Sequence, residues 1–596
     1  MRGRTAKAWV LVLTAGLAAA AVGAGRPDLV EKVRRGELAE AKASWWGFDP
    51  ADSTAALQAA LGSGAKRIVI DRMDAPWTSG PLKGASDQEV VFEPGVEIVA
   101  KEGLFRGRTE SLLAYVNTRN VKVSGGTLRM RRDDYRKAPY EESEWRHALL
   151  LHHVENVTVE KMLLTESGGD GIYLNDGRNV TVRDTVCDRN YRQGISVISA
   201  EDLLIERCRL TNTEGGLPMA GIDFEPNNPN ERLVNCVMRD CVIEGNAGSG
   251  IDFALVWFNG TTRDVSMRFE NVRISGNAKC IDLVTFNSPA NAVRGDIGFR
   301  NCSFGYDTSK VGIRLFESDD MPIRLHFGEG CRIVETTDGR TVEKPIGDEW
   351  VAARFPHRSA QRVAYPPRFA HDFARHTVIR DAKPGEMVGL SPLRLRFALT
   401  LVFHAAKAGE VHFTLKQHRD PRRPTPTDNP IRLLDADGRE IGTYRTGGIG
   451  YDPSPLTVTV PAAGFYLLDF NVPSLYPVAS DVPVAIDVSR RQANMNGLPG
   501  ALWCFVPDGT DSFAFFVAGD RGEERVKPTI TDAAGNVVWM RDDVNSYVSY
   551  LSDRPANPGL WKIDFARPTR GGLDDYKCEM HGLPPFLFLS PEKYWE

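Results

Sequence analysis

One phrase returns along the middle of the chain: Ala148-Leu149-Leu150-Leu151, Gly171-Ile172-Tyr173-Leu174, Gly194-Ile195-Ser196-Val197, Gly221-Ile222-Asp223-Phe224, Gly250-Ile251-Asp252-Phe253, Cys280-Ile281-Asp282-Leu283 and Gly312-Ile313-Arg314-Leu315. Successive copies lie 23, 23, 27, 29, 30 and 32 residues apart. Each sets a variable residue between two apolar ones, the period-two pattern of a strand with one buried face. Between them runs a second echo, Asn156-Val157-Thr158-Val159, Asn179-Val180-Thr181-Val182, Asp202-Leu203-Leu204-Ile205 and Asn235-Cys236-Val237-Met238. Two or three short strands per period, with Asn or Gly at the corners, predict a solenoid of stacked parallel strands. Its core ladder is expected to be Ile172, Ile195, Ile222, Ile251 and Ile281 beside Leu174, Val197, Phe224, Phe253 and Leu283. Cys208, Cys241 and Cys302 stack in the same way as small buried groups, and Cys187 is also a packed core thiol.

Upstream, Gly47-Phe48-Asp49-Pro50 precedes Asp52-Ser53-Thr54-Ala55-Ala56-Leu57-Gln58-Ala59-Ala60-Leu61-Gly62. This predicts a short helix with Asp52 as N-cap, Leu57 and Leu61 as its apolar stripe and Gly62 as its stop. Such a helix covers the open end of a solenoid, which otherwise exposes apolar residues and unpaired strand edges. On these features residues 45–335 resemble the right-handed parallel β-helix of the pectate-lyase superfamily, and the helix resembles that group's cap. The resemblance implies a polysaccharide-active protein, since the group includes polysaccharide lyases, glycoside hydrolases and epimerases. It speaks more to fold than to reaction.

The period is lost after residue 335. A Pro- and Arg-rich stretch, 336–390, reads as a connector packed along the solenoid. Alternating strands over 391–488 and 496–592, separated by the polar Ser489 to Gly500, predict two β-sandwiches. These resemble accessory sandwiches of secreted carbohydrate-active enzymes, and most of their aromatics alternate inward. The expected fold class is therefore all-β: a right-handed parallel β-helix with an N-terminal capping helix, followed by two β-sandwich domains.

If the apolar residues of each phrase point inward, the residue between them points out, giving the column Leu150, Tyr173, Ser196, Asp223, Asp252, Asp282, Arg314. Neighbouring strands lie ~4.8 Å apart, so three successive carboxylates repel unless a proton, a cation or a substrate relieves them. Glu225 follows on the same face, ~6.8 Å along the strand from Asp223. Asp170, Arg192 and His147 converge on the same wall. Glycoside hydrolysis needs two carboxyl groups, one protonated to serve the leaving oxygen and one charged to activate water or attack the sugar. A ladder of acids supplies both, because repulsion raises one member's affinity for its proton.

Asp223, Glu225 and Asp252 are accordingly the expected catalytic residues. Asp170, Tyr173, Arg192, Asp282, Trp257 and His147 are the expected substrate-binding residues. The segment Arg129–Arg146 and the insertion Pro226–Arg232 are read as walls of a sugar groove, with Tyr135, Tyr140 and Trp145 as stacking platforms and Arg131 and Arg132 for an anionic group. Two other readings stay open. In a lyase, Arg192, Tyr173 or His147 acts as base and the acids hold Ca²⁺. In a noncatalytic glycan-binding or adhesion solenoid, the acids are structural. No metal motif of Cys and His spacing, phosphate loop or nucleophile elbow occurs, so no cofactor other than Ca²⁺ is expected.

Composition narrows the partners. Among 596 residues, 73 basic and 78 acidic give a net charge of −5, which draws the chain to neither nucleic acid nor anionic lipid. The expected partner is a poly- or oligosaccharide. Arg2, Arg4 and Lys7, the apolar stretch Ala8–Val22 and the small residues ending at Ala24 read as a signal peptide, residues 1–24, whose alternative is a retained anchor. No later stretch is long and apolar enough to span a bilayer, so the expected location is secreted or periplasmic. Nine cysteines are too dispersed for a disulfide scaffold, and only Cys504 with Cys578 is read as a pair.

Overall fold

The computed structural model describes residues 25–317, 323–355, 358, 364–419, 425–520 and 523–596. The expected signal segment, 1–24, lies outside the described residues. Among the described residues no helix is long and apolar enough to cross a membrane.

The repeated phrases form one wall of a parallel solenoid: Gln193–Val197, Ala220–Phe224, Ser249–Ala254, Lys279–Val284 and Ile313–Phe316 pair successively, each with the one before it. The second echo forms a second wall, through Ala200–Glu206, Leu233–Arg239, Val265–Glu270 and Gly295–Arg300. In the early coils both walls belong to single bent strands such as Leu149–Glu160 and Asp170–Arg183. A third wall of short strands includes Leu163–Thr165, Val186–Asp188, Arg209–Thr211, Val242–Glu244 and Arg273–Ser275. The expected Ile, Leu, Val and Phe ladders lie in one continuous buried core together with Cys187, Cys208, Cys241 and Cys302.

Two local features explain the sequence of the repeat. The corner residues Asn156, Asn179, Asp202 and Asn235 adopt φ of 54°, 49°, 58° and 52°, left-handed conformations that Asn and Asp tolerate best among non-glycines. Their side chains link coil to coil, Asn179 Nδ2 donating to Asn156 Oδ1 at 2.8 Å and Asn235 Nδ2 to Asp202 Oδ1 at 2.5 Å. The glycines that open five of the seven phrases answer to crowding. A Cβ on Gly194 falls 2.5 Å from Gly221 O, and one on Gly221 falls 2.3 Å from Ile243 Cγ2 and 2.9 Å from Gly250 O. Gly221→Ala is therefore expected to destabilise the solenoid by ~1–3 kcal/mol, the usual range for overpacking, visible as a lower melting temperature.

The solenoid is closed at both ends. Val33, Ala43, Leu57, Ala60 and Leu61 join its core from the helices Pro27–Arg34 and Thr54–Leu61 and the turn Ala43–Trp46. The N-cap of the second helix is Ser53, not Asp52 as expected. Asp52 sits one position further out, where its Oδ1 accepts the Thr54 N–H at 3.0 Å. At the other end an antiparallel hairpin, Arg332–Thr337 with Arg340–Pro345, and the helix Asp348–Arg354 bring Ile346 and Val351 onto the core.

The C-terminal strands are antiparallel and share one buried cluster running from Leu393 to Leu589. Strands cross between its halves: Val484–Asp487 pairs with Phe586–Phe588, and Ala493–Asn496, inside the polar separator, pairs with Asp575–His581. The connector ties in through Ile379–Asp381, which pairs with Lys593–Trp595. Cys504 and Cys578 are buried and free, which corrects the expected pair. Cys504 stands opposite Trp561, and Cys578 opposite Ala493 and Val517, so the two share the core without being ladder partners. The sandwich packs against the solenoid through Ser288, whose Oγ donates to Glu579 Oε2 at 3.0 Å, and through Phe286 against Tyr547.

Candidate active site

The acid column forms in the expected register. Tyr173 pairs with Ser196, Ser196 with Asp223, Asp223 with Asp252, Asp252 with Asp282 and Asp282 with Arg314. Their strand neighbours Ile222, Phe224, Ile251 and Phe253 belong to the core, so alternation turns the acids to the outer face. That face is covered rather than open. Asp223 is 1% exposed, and Asp170, Gln193, Ser196, Asp252 and Asp282 are buried with it.

Asp223 is held by a relay of polar side chains. Arg192 Nη2 donates to Glu225 Oε2 at 2.6 Å and Nη1 to Gln193 Oε1 at 3.0 Å; Gln193 Nε2 then donates to Asp223 Oδ2 at 2.5 Å. Arg192 is itself fixed by Leu217 O and Glu144 Oε2, each 3.3 Å from its Nε. Because the guanidinium takes the carbonyl end of the Gln193 amide, the NH₂ end faces Asp223. Asp223 Oδ1 is left buried without a hydrogen bond from the protein, as are both carboxyl oxygens of Asp170 and the Ser196 hydroxyl. Buried polar atoms are nearly always satisfied, and four of those left unengaged among the described residues stand on this wall.

Burial, the Asp252 charge and the Glu225 charge hold the Asp223 carboxyl well above the usual range, outweighing the pull of Arg192. Asp252 is pushed up to about 7 by burial and then by Asp282, against Lys279 and Arg314. Asp282 ends the ladder in ion pairs, with Arg314 Nε and Nη2 at 2.7 and 2.6 Å and Lys279 Nζ at 3.0 Å. Arg192 works against its own burial, yet Asp170 and Glu225 hold its guanidinium above the ordinary range, making it a fixed cation. Burial and Asp170 push the Tyr173 phenol up to about 12. His147 stacks on Tyr173 at 4.7 Å, and its Nδ1 lies 3.1 Å from the Asp170 backbone N and 3.2 Å from Asp170 Oδ2.

Seven of the nine expected residues thus gather on one wall: Asp170, Tyr173, Arg192, Asp223, Glu225, Asp252 and His147. Asp282 adjoins them with its oxygens occupied by cations. Trp257 stands elsewhere, in a groove facing the sandwich. Tyr135 is corrected as a stacking platform, because it is buried with Arg146 over its ring at 5.3 Å and Tyr140 edge-on at 5.1 Å. Arg146, wholly buried, donates to Phe105 O at 2.8 Å and pulls this loop onto the body. Arg131 and Arg132 are spent on Asp134 and Asp133 at 2.6 and 3.1 Å rather than left for an anion.

Sequence reasoning missed Gln193 and Ser196. Ser196 lies in the acids' own column, and Gln193 is the register partner of Asp170 and Ala220, so column membership was the available signal. Among the described residues the acids able to bring ligand atoms within 4.8 Å of one another are Asp520, Glu524 and Asp575 in the sandwich, not members of the ladder.

The N-terminal domain is thus a right-handed parallel β-helix with an acid ladder on a covered outer wall, and residues 116–304 match the family model described as right handed beta helix region. A search of curated proteins finds the SPbeta prophage-derived uncharacterized protein YorA of Bacillus subtilis (strain 168), 24% identical over 176 residues, 26% of this chain. The match spans 30% of that relative's length. Solved structures similar to this chain include the polygalacturonase from Erwinia carotovora ssp. carotovora, at 15% identity and TM-score 0.35, covering 51% of this chain and 95% of the other. Another is the mannuronan C-5 epimerase AlgE4 A-module of Azotobacter vinelandii, at 14% and 0.35, covering 50% and 88%.

Proposed function

We propose that the protein is a secreted or periplasmic polysaccharide-degrading glycoside hydrolase whose acid pair stands on the outer wall of the β-helix. One observation carries the reading: Asp223 is buried beside two carboxylates, its Oδ2 fixed by Gln193 and its Oδ1 unengaged. A carboxyl so placed holds its proton more tightly than a free one, and the oxygen not engaged by Gln193 is Oδ1. Asp223 is the general acid, delivering the proton to the leaving glycosidic oxygen as the C–O bond breaks. Glu225, ion-paired with Arg192, is the second carboxylate, which activates water or attacks the sugar carbon. Asp252 keeps the Asp223 proton in place by repulsion. Tyr173, with its phenol at about 12, is a poor proton acceptor, which weighs against the lyase alternative.

The test is product analysis on neutral and uronate glycans. A hydrolase releases reducing ends without new ultraviolet absorbance, a lyase releases unsaturated absorbing products, and a binding solenoid releases neither. Gln193→Leu probes the relay: losing a hydrogen bond to the charged form raises the Asp223 proton affinity further, so the alkaline limb of the kcat/KM profile is expected to move up in pH. A ~10-fold fall in kcat with little change in KM is expected beside it, the effect of ~1.4 kcal/mol in the barrier.

A further inference from the structure

A groove of about 470 Å³ separates the solenoid from the sandwich. Its solenoid wall is made by loops that leave the C-terminal ends of the three acid-bearing strands: Pro229 after Asp223 and Glu225, Val256 and Trp257 after Asp252, and Phe286–Ser288 after Asp282. Trp257 follows Asp252 by five residues, which places it at most ~18 Å downstream even for a fully extended chain. On the hydrolase reading, a polymer engaged at the acid wall and aligned with the strands continues into this groove.

Two rings face solvent there from opposite domains. Trp257 is 58% exposed, and Phe397 of the sandwich is 54% exposed. Phe397 sits at a β-bulge, where register slips between Arg396 and Phe397, with φ of 64°. That conformation is strained for a bulky residue, and bulges re-aim side chains. Here the ring is turned out of the sandwich core into the groove, with the Arg396 guanidinium over one face at 4.6 Å and the ring 54% exposed. Exposed rings on a polar-lined cleft suit the apolar C–H face of a sugar ring.

The charges select among sugars. Lys577 pairs with Asp520 at 3.0 Å, Arg368 with Glu579 at 2.5 Å, and Arg396 pairs with Asp575. Among the described residues of the lining and its immediate partners, every cation is thus matched to a carboxylate, and none is left to neutralise a uronate or sulfate.

We propose that this groove binds a neutral stretch of the polysaccharide chain, with Trp257 and Phe397 as stacking platforms, so that the sandwich forms part of the substrate-binding surface. The proposal rests on the hydrolase reading for the direction in which the chain runs. Its test is titration of the full chain, rendered inactive by Asp223→Asn, with neutral gluco-, manno-, galacto- and xylo-hexasaccharides, the matching trisaccharides and a hexagalacturonate, followed by calorimetry. The expected result is that a neutral hexasaccharide binds best, that Trp257→Ala and Phe397→Ala each weaken it about tenfold, ~1.4 kcal/mol, and that trisaccharide affinity changes less than twofold. Hexasaccharide affinity in both variants equal to that of the Asp223→Asn parent, no binding by any neutral glycan, or preference for the hexagalacturonate overturns the proposal. Failure of the hydrolase reading shows separately, as turnover that survives Asp223→Asn.

Discussion

Asp223→Asn is expected to lower turnover by ~10²–10⁴-fold, the span that a positioned general acid contributes, while glycan affinity stays within a few-fold of wild type. Asparagine preserves the shape and can still accept from Gln193 through its side-chain oxygen, so Arg192, Gln193 and Glu225 keep their arrangement. What it lacks is a proton held at Oδ1 for the leaving group. The same change removes a carboxyl that burial and its neighbours hold far from its solution behaviour. The variant should therefore melt no lower than wild type at pH 7, and circular dichroism at that pH separates lost chemistry from lost fold. Turnover within a few-fold of wild type would place the acid elsewhere.

Asp252→Asn carries the largest expected effect on stability and ties it to pH. The folded-state value of Asp252 lies at about 7 against 3.8 for the free side chain, so between these two the folded protein binds more protons than the unfolded chain. Stability at this position is greatest below the lower value, falls as pH rises through about 7, and levels off above it. The cost at alkaline pH is bounded at ~4 kcal/mol by the size of the shift. Asparagine removes that dependence. Melting curves of wild type and variant should coincide most closely near pH 4 and separate by several degrees at pH 8, with the variant the more stable. In activity the opposite sign to Gln193→Leu is expected: without the Asp252 charge, Asp223 gives up its proton more easily, and the alkaline limb of kcat/KM moves down in pH. A melting difference that does not grow with pH, or a limb that moves up, contradicts the ladder electrostatics.

The repeat made much of this legible beforehand. Ile222, Ile251 and Ile281 stack where their spacing placed them, and the register carries Asp223, Asp252 and Asp282 onto neighbouring strands. In a solenoid each coil touches only the next, so a one-dimensional period maps directly onto a three-dimensional column. The corner residues Asn156 and Asn179 and the opening residues Gly194 and Gly221 were visible as repeats, although the reason for the glycines, a carbonyl of the next coil at contact distance, was not.

Loops follow no such period. Tyr135 reads in sequence as an exposed platform, and only the buried Arg146, reaching the carbonyl of Phe105 from 41 residues away, draws it inward. Gln193 reads as one polar residue among many until Arg192 and Asp223 close on its two ends. The groove at Trp257 needs a second wall from Phe397, 140 residues further on.

What the sequence alone determined is the coil, its core and the column on which the acids stand, because strand alternation and coil spacing are local and repeat. What only the tertiary structure decided is that this outer column is covered rather than solvated, which of its acids are matched by cations, and which are held above the usual carboxylate range by burial and neighbouring charge. Those outcomes depend on desolvation and on charges brought together from distant segments, and neither is a property of any stretch of chain taken by itself.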